Sequence, residues 1–81
     1  MDFSKLSEKI NNALKEKEVF VESIEYVKKG KYNFLEITLD KVGGIDLDGI
    51  VDATNIINPI VDKENFTKDS YILDVSSKER G

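Results

Sequence analysis

The sequence predicts a two-layer α+β fold in which two helices cover one face of a three-stranded sheet, with the elements in the order αββαβ. Two segments carry apolar residues at helical spacing, and three others have the composition or the alternation of strands. The length of 81 residues leaves room for one small hydrophobic core. We therefore expect residues 1–81 to form a single α/β domain.

The first half of the chain predicts a helix followed by a β-hairpin. Residues 19–27 are rich in β-branched and aromatic residues, which indicates a strand. Neither of its two sets of alternate residues is entirely apolar, which suggests a bulge or a strand that is covered on both faces. The short polar link 28–31 connects it to an alternating strand over 32–40. The helix spans about residues 3–16, because one side of it collects Phe3, Leu6, Ile10, Ala13 and Leu14.

The second strand ends at a junction whose residues suit the start of a helix. Gly43 and Gly44 supply the backbone freedom of a tight turn, and Asp46 is placed to cap the helix. Ile45 can close a hydrophobic staple onto Ile50.

The second helix is expected over about 46–62, and a final strand over 71–76. Pro59 removes a helical hydrogen bond, so the last turn should be kinked. The last strand follows a helix, and we expect it to pair in parallel with the first strand and give a mixed sheet. The side facing the sheet should carry Leu47, Ile50, Val51, Thr54, Ile57 and Val61.

Composition excludes several functional classes. The chain has no Cys and no His, so disulfides, an ordinary zinc site and Cys or His catalysis are excluded. No apolar run approaches the length of a membrane span, and we expect a cytoplasmic protein that is not an enzyme. The whole net charge of −4 falls within residues 46–66. This distribution predicts a basic partner, such as a protein.

Neither a metal nor a nucleotide is expected at the junction. Asp46, Asp48 and Gly49 match part of an EF-hand loop, but the alignment puts Gly44 and Asn55 at the first and last ligand positions. No Lys-Ser or Lys-Thr follows the glycines, as a phosphate-binding loop requires. The prediction is therefore no metal, no cofactor and no small-molecule substrate.

The hairpin link carries the chain's one basic cluster, which leaves two interpretations open. Lys28, Lys29 and Lys31 lie between Tyr26 and Tyr32, and aromatic residues near lysines can contact RNA. Solvated hairpin tips are commonly charged as well. A KH-like RNA-binding module is therefore an alternative function, although the Gly-x-x-Gly loop of such modules is absent. Self-association as a structural interaction domain is a further alternative.

Two motifs resemble a known family. The run LEITLDKVGGIDLD at residues 35–48 and the run YILDVSS at 71–77 are similar, in order and spacing, to the N-terminal domain of the ribosome maturation factor RimP family. The resemblance implies a KH-like fold and non-catalytic binding to the immature small (30S) ribosomal subunit. The partner would be a ribosomal protein, with 16S rRNA as a second candidate, and the domain would be a monomer.

The resemblance also implies the candidate site and shows where this chain departs from the family. The family normally continues into a small β-barrel domain, and we expect that domain to be absent from this chain. Gly49 stands where the family usually has an acidic or polar residue, and Pro59 interrupts a helix that is normally continuous. Together with the acid pattern, the matched positions give a predicted partner-binding set of Asp40, Gly43, Gly44, Asp46, Asp48, Asp52, Ser76 and Ser77.

Overall fold

The computed structural model describes residues 2–78 and shows the predicted order of elements. The predicted α+β architecture, a mixed three-stranded sheet with two helices, is confirmed. Residues 1 and 79–81 of the expected domain lie outside the described part of the chain. The elements are helix α1 (Ser4–Leu14), a short 3-10 turn (Lys15–Lys17), strands β1 (Phe20–Lys29) and β2 (Tyr32–Asp40), helix α2 (Leu47–Glu64) and strand β3 (Ile72–Ser77).

The sheet is ordered β1-β2-β3, so the predicted pairing of the last strand with the first is wrong. Strand β1 is antiparallel to β2, and β3 is parallel to β2. Helix α2 returns the chain to the end of the sheet at which β2 began. The next strand therefore runs in the direction of β2, which is the usual result of a β-α-β connection.

A bulge in β1 explains why the sequence does not show which alternate residues of this strand face the core. The register shifts between Val21 and Ser23, and the residues on either side of the shift therefore change face. Val21, Ile24 and Tyr26 all pack toward the core despite their uneven spacing. The hairpin then turns at Gly30, whose φ of 62° suits the first central position of a type II′ turn.

The core lies between the helices and the sheet. Among residues 2–78, ten apolar residues are buried: Leu6, Ile10, Leu14, Val19, Leu35, Ile37, Leu39, Ala53, Ile57 and Val61. The prediction that Leu47 and Val51 face the sheet is wrong, since they are 77% and 51% exposed. Both lie more than about 100° around the helix from Ala53, which faces the core.

Helix α2 continues through Pro59 and ends five residues later at Glu64. Pro59 and Asn55, whose carbonyl loses its helical partner, are both on the exposed side. Water can therefore take the missing hydrogen bond. Asn65, with a φ of 49°, ends the helix and donates its N–H to the Val61 carbonyl at 3.4 Å.

An aromatic cluster closes the end of the core at the C-terminus of α2. The ring of Phe66 meets the rings of Phe3, Tyr26 and Tyr71 at centroid distances of 5.7, 5.4 and 5.0 Å. The first two contacts are edge-to-face, which is an arrangement that aromatic pairs prefer. The Tyr26 hydroxyl is buried there without a hydrogen-bond partner among the described residues.

Candidate functional site

The turn between β2 and α2 has the geometry that its two glycines predict. The Gly44 N–H donates to the Lys41 carbonyl at 2.9 Å and closes the turn. Gly43 and Gly44 have φ values of 87° and 90°, which side-chain-bearing residues rarely adopt. The chain therefore reverses tightly before α2.

Asp46 caps α2, as the sequence predicts. Its Oδ1 accepts a hydrogen bond from the Gly49 N–H at 2.8 Å, and the helix begins at the next residue, Leu47. Asp48 lies in the first turn, where a negative charge interacts favourably with the helix dipole. Asp46 therefore has a structural role in addition to its charge.

Close packing at the first turn of α2 requires a glycine at position 49. A Cβ atom at this position would lie 2.9 Å from Ile45 Cγ2 and 3.1 Å from the capping Oδ1 of Asp46. Ile45 packs against the core, so its methyl group cannot move away freely. A glycine at position 49 therefore allows Ile45 and Asp46 to lie close to the first turn of α2.

Three chain segments surround an open groove of about 830 Å³ at this end of the molecule. They are the 3-10 turn after α1, the glycine turn and the start of α2. Gly43, Gly44, Asp46, Asp48 and Asp52, five of the eight predicted partner-binding residues, line this groove. The lining contains five carboxylates and two lysines: Glu16, Glu18, Asp46, Asp48, Asp52, Lys17 and Lys41.

Glu16 and Glu18 are groove residues that the sequence analysis missed. Their segment is held in place by Val19, which is buried, and by the Val21 N–H, which donates to Asn11 Oδ1 at 2.8 Å. Glu18 itself has a φ of 60° and ends the 3-10 turn. In the sequence this segment is charge-balanced, so only the fold brings its acids beside α2.

The other predicted partner-binding residues do not line the groove. Asp40 is buried at the end of β2, and its Oδ1 accepts the Lys41 N–H at 2.8 Å. Ser76 and Ser77 end β3 and project to opposite faces of the sheet, beside Thr38 and Leu39 respectively. The structure therefore separates the predicted set into a groove and two other places.

The hairpin lysines are also divided. Lys28 and Lys31 are exposed at the tip. Lys29 instead turns back along the sheet, where its Nζ lies 3.0 Å from Glu36 Oε2 and 5.7 Å from the centroid of the Phe34 ring. The hydrogen bond and charge of Glu36 raise the pKa of Lys29. The basic cluster thus presents fewer free charges than the sequence suggests.

The fold and the groove define a small α+β domain with an acidic surface groove beside the start of α2. Among residues 2–78, no group of three or more acidic side chains is arranged to hold a metal ion, and no helix is long and apolar enough to cross a membrane. Residues 9–78 match the family model of the RimP N-terminal domain, and the chain belongs to this family. The family has a general role in ribosome maturation and is typically non-enzymatic.

Proposed function

We propose that this domain binds the immature small (30S) ribosomal subunit in the cytoplasm and assists its maturation without catalysis. The acidic groove would contact a basic ribosomal protein. Membership of the RimP N-terminal domain family supports the ribosomal role. The observation that carries the choice of surface is the convergence of five carboxylates from separate chain segments on one groove.

The charge of the groove favours a protein partner over naked RNA. Its five carboxylates outnumber its two lysines, so RNA phosphates would be repelled. Ribosomal proteins that bind rRNA are rich in Lys and Arg and carry the complementary charge. At physiological salt the Debye length is about 8 Å, so the grouped acids act together on a partner in contact.

Two exposed apolar side chains at the same end add a contact that charge alone would not give. Val42, at the tip of the glycine turn, is 89% exposed, and Leu47, at the start of α2, is 77% exposed. Burial of such side chains contributes about 25 cal/mol per Å² of apolar area. We infer that they pack against the partner while the acids select a basic surface.

The test is capture of small-subunit precursors by the immobilised domain. Asp48→Asn together with Asp52→Asn removes two groove charges and leaves the Asp46 cap intact. Glu8→Gln together with Asp69→Asn is the charge-matched control, because both positions are exposed and lie outside the groove. We expect capture by the wild type and the control, and a loss of about tenfold in the groove variant.

Equal capture by the groove variant and the control would refute the groove as the docking site. Absence of capture by every form, with folding verified by circular dichroism, would refute 30S binding itself. Two alternatives give different results. RNA binding through Lys28 and Lys31 would weaken steeply with salt and disappear in Lys28→Gln/Lys31→Gln. Self-association would appear as a concentration-dependent mass in light scattering.

A further inference from the structure

The face of the sheet that the helices leave uncovered is organised into rows that cross all three strands. Residues that pair across strands share a face, so the strand register defines each row. Val27, Phe34 and Ile72 form an apolar row across β1, β2 and β3. Ile72 is 44% exposed, and among residues 2–78 no element packs over this face.

The next row on the same face is entirely acidic. Glu25 pairs with Glu36, and Glu36 pairs with Asp74. Like charges directly opposite one another on neighbouring strands destabilise a sheet, so this row works against folding. Glu36 has Lys29 as its ion-pair partner, whereas Glu25 and Asp74 are exposed and have no cation within ion-pair distance among the described residues.

Lys29 shows how this face accommodates a cation. Its side chain crosses the apolar row, with Nζ 5.7 Å from the centroid of the Phe34 ring, and its ammonium donates to Glu36 Oε2 at 3.0 Å. One side chain therefore contacts both rows. The acid at the far edge, Asp74, also raises the pKa of Lys29, after the larger effect of Glu36. The contact combines cation–π attraction with a charge-assisted hydrogen bond.

We propose that the uncovered sheet face is a second docking surface, and that its partner is a basic polypeptide segment with apolar residues beside its Lys or Arg side chains. Two cations of the partner pair with Glu25 and Asp74, on either side of the position that Lys29 occupies. Its apolar residues cover Val27, Phe34 and Ile72. The two rows are separated by two residues along each strand, about 7 Å, which one amphipathic segment can bridge.

Other occupants fit the charges less well. RNA would place phosphates against three carboxylates. A second copy of the domain would oppose one acidic row with another on contact through the same face. The proposal does not depend on the ribosomal role or on the groove, because the sheet face and the groove share no residues.

The experiment is an NMR titration of the isotope-labelled domain with a short synthetic peptide of Lys and Leu in an amphipathic pattern. Glu25→Gln together with Asp74→Asn leaves the Lys29–Glu36 pair in place. We expect the peptide to shift the amide signals of β1, β2 and β3, and this variant to bind about tenfold more weakly, which corresponds to about 1.4 kcal/mol. The charge-matched control Glu8→Gln/Asp69→Asn should bind as the wild type does.

A stability measurement separates lost binding from lost folding. Because the acidic row is repulsive, Glu25→Gln/Asp74→Asn should be at least as resistant to urea as the wild type. The apolar row is tested by Ile72→Thr, which keeps a β-branched side chain and should also weaken binding. Val51→Thr is its control, because Val51 is 51% exposed, close to the 44% of Ile72, but lies on α2 and outside both the sheet face and the groove.

Three results would overturn the proposal. They are equal binding by the wild type and Glu25→Gln/Asp74→Asn, peptide-induced shifts confined to the α2 groove, and stronger shifts from a single-stranded oligonucleotide than from the peptide. A peptide with Glu in place of Lys should produce no shifts. The groove variant Asp48→Asn/Asp52→Asn should retain peptide binding on the sheet face, so failure of the 30S experiment and failure of this one are distinguishable.

Discussion

Replacement of Gly49 by Ala tests whether packing at the start of α2 outweighs helix propensity. In an exposed helix interior, Ala is more favourable than Gly by about 0.8–1.0 kcal/mol. Here the added Cβ would lie 2.9 Å from Ile45 Cγ2 and 3.1 Å from the capping oxygen of Asp46. These are two separate contacts, so Ile45 has to leave its rotamer, at a cost of about 0.5–1.5 kcal/mol, and Asp46 has to give up its cap, at about 0.5–2 kcal/mol.

The two costs together exceed the propensity gain, and we therefore expect Gly49→Ala to lower the free energy of unfolding by about 1 kcal/mol. For a domain of this size such a loss lowers the Tm by about 4–8 °C. Urea unfolding followed by circular dichroism gives the free energy directly. Asn55→Ala, at an exposed position of the same helix, is the control for an ordinary propensity gain.

A double-mutant cycle assigns the cost to Ile45. Ile45→Leu removes the branch methyl group that the new Cβ would meet, so Gly49→Ala should cost less in that background. We expect a coupling free energy of about 0.5 kcal/mol or more, as is usual for residues in contact. If Gly49→Ala raises stability by about 1 kcal/mol in both backgrounds, helix propensity decides and the packing argument is wrong.

Three further predictions concern individual side chains. Asp46→Ala should destabilise the domain by about 0.5–2 kcal/mol in urea unfolding, whereas Asp46→Asn should restore most of the loss because Asn also caps; equal losses would contradict the capping role. Tyr26→Phe should leave stability unchanged or raise it by about 1 kcal/mol, since the hydroxyl is buried without a partner in the described chain; a clear loss would mean that the hydroxyl forms a hydrogen bond in solution. Burial, and then the charge of Asp62, raise the pKa of Tyr71 above its ordinary value of 10.0, so its share of stability should be complete below pH 10.0 and be lost as the pH rises through the raised pKa; ultraviolet titration of the wild type and Tyr71→Phe checks this.

Local rules predicted the order of elements because each element carries its own pattern in the sequence. The strand at 32–40 alternates cleanly, and the junction after it contains both the glycines and the cap that the structure shows. The pairing of β3 was predicted wrongly because strand partners depend on where α2 returns the chain. That choice is tertiary, and no local pattern encodes it.

The candidate site was predicted only in part for the same reason. Asp46, Asp48 and Asp52 are close in sequence and therefore appear as one acidic segment. Glu16 and Glu18 join them only because α1 ends beside the start of α2. The acidic row of the sheet was also hidden, because its members come from three strands and adjoin only in the folded register.

Two of the places where folding rules fail in this molecule lie at the surfaces that we assign to partners. Leu47 continues an apolar helical pattern but is exposed beside the groove, and Glu25, Glu36 and Asp74 line up although like charges across strands are unfavourable. A sequence selected for stability alone would have a polar residue in place of Leu47, and charges of alternating sign in the row of Glu25, Glu36 and Asp74. Such local departures are expected at functional sites, where the free energy of binding offsets the loss of folding stability. A basic, partly apolar partner would relieve both departures, because it would cover the exposed Leu47 side chain at one surface and neutralise the acidic row at the other.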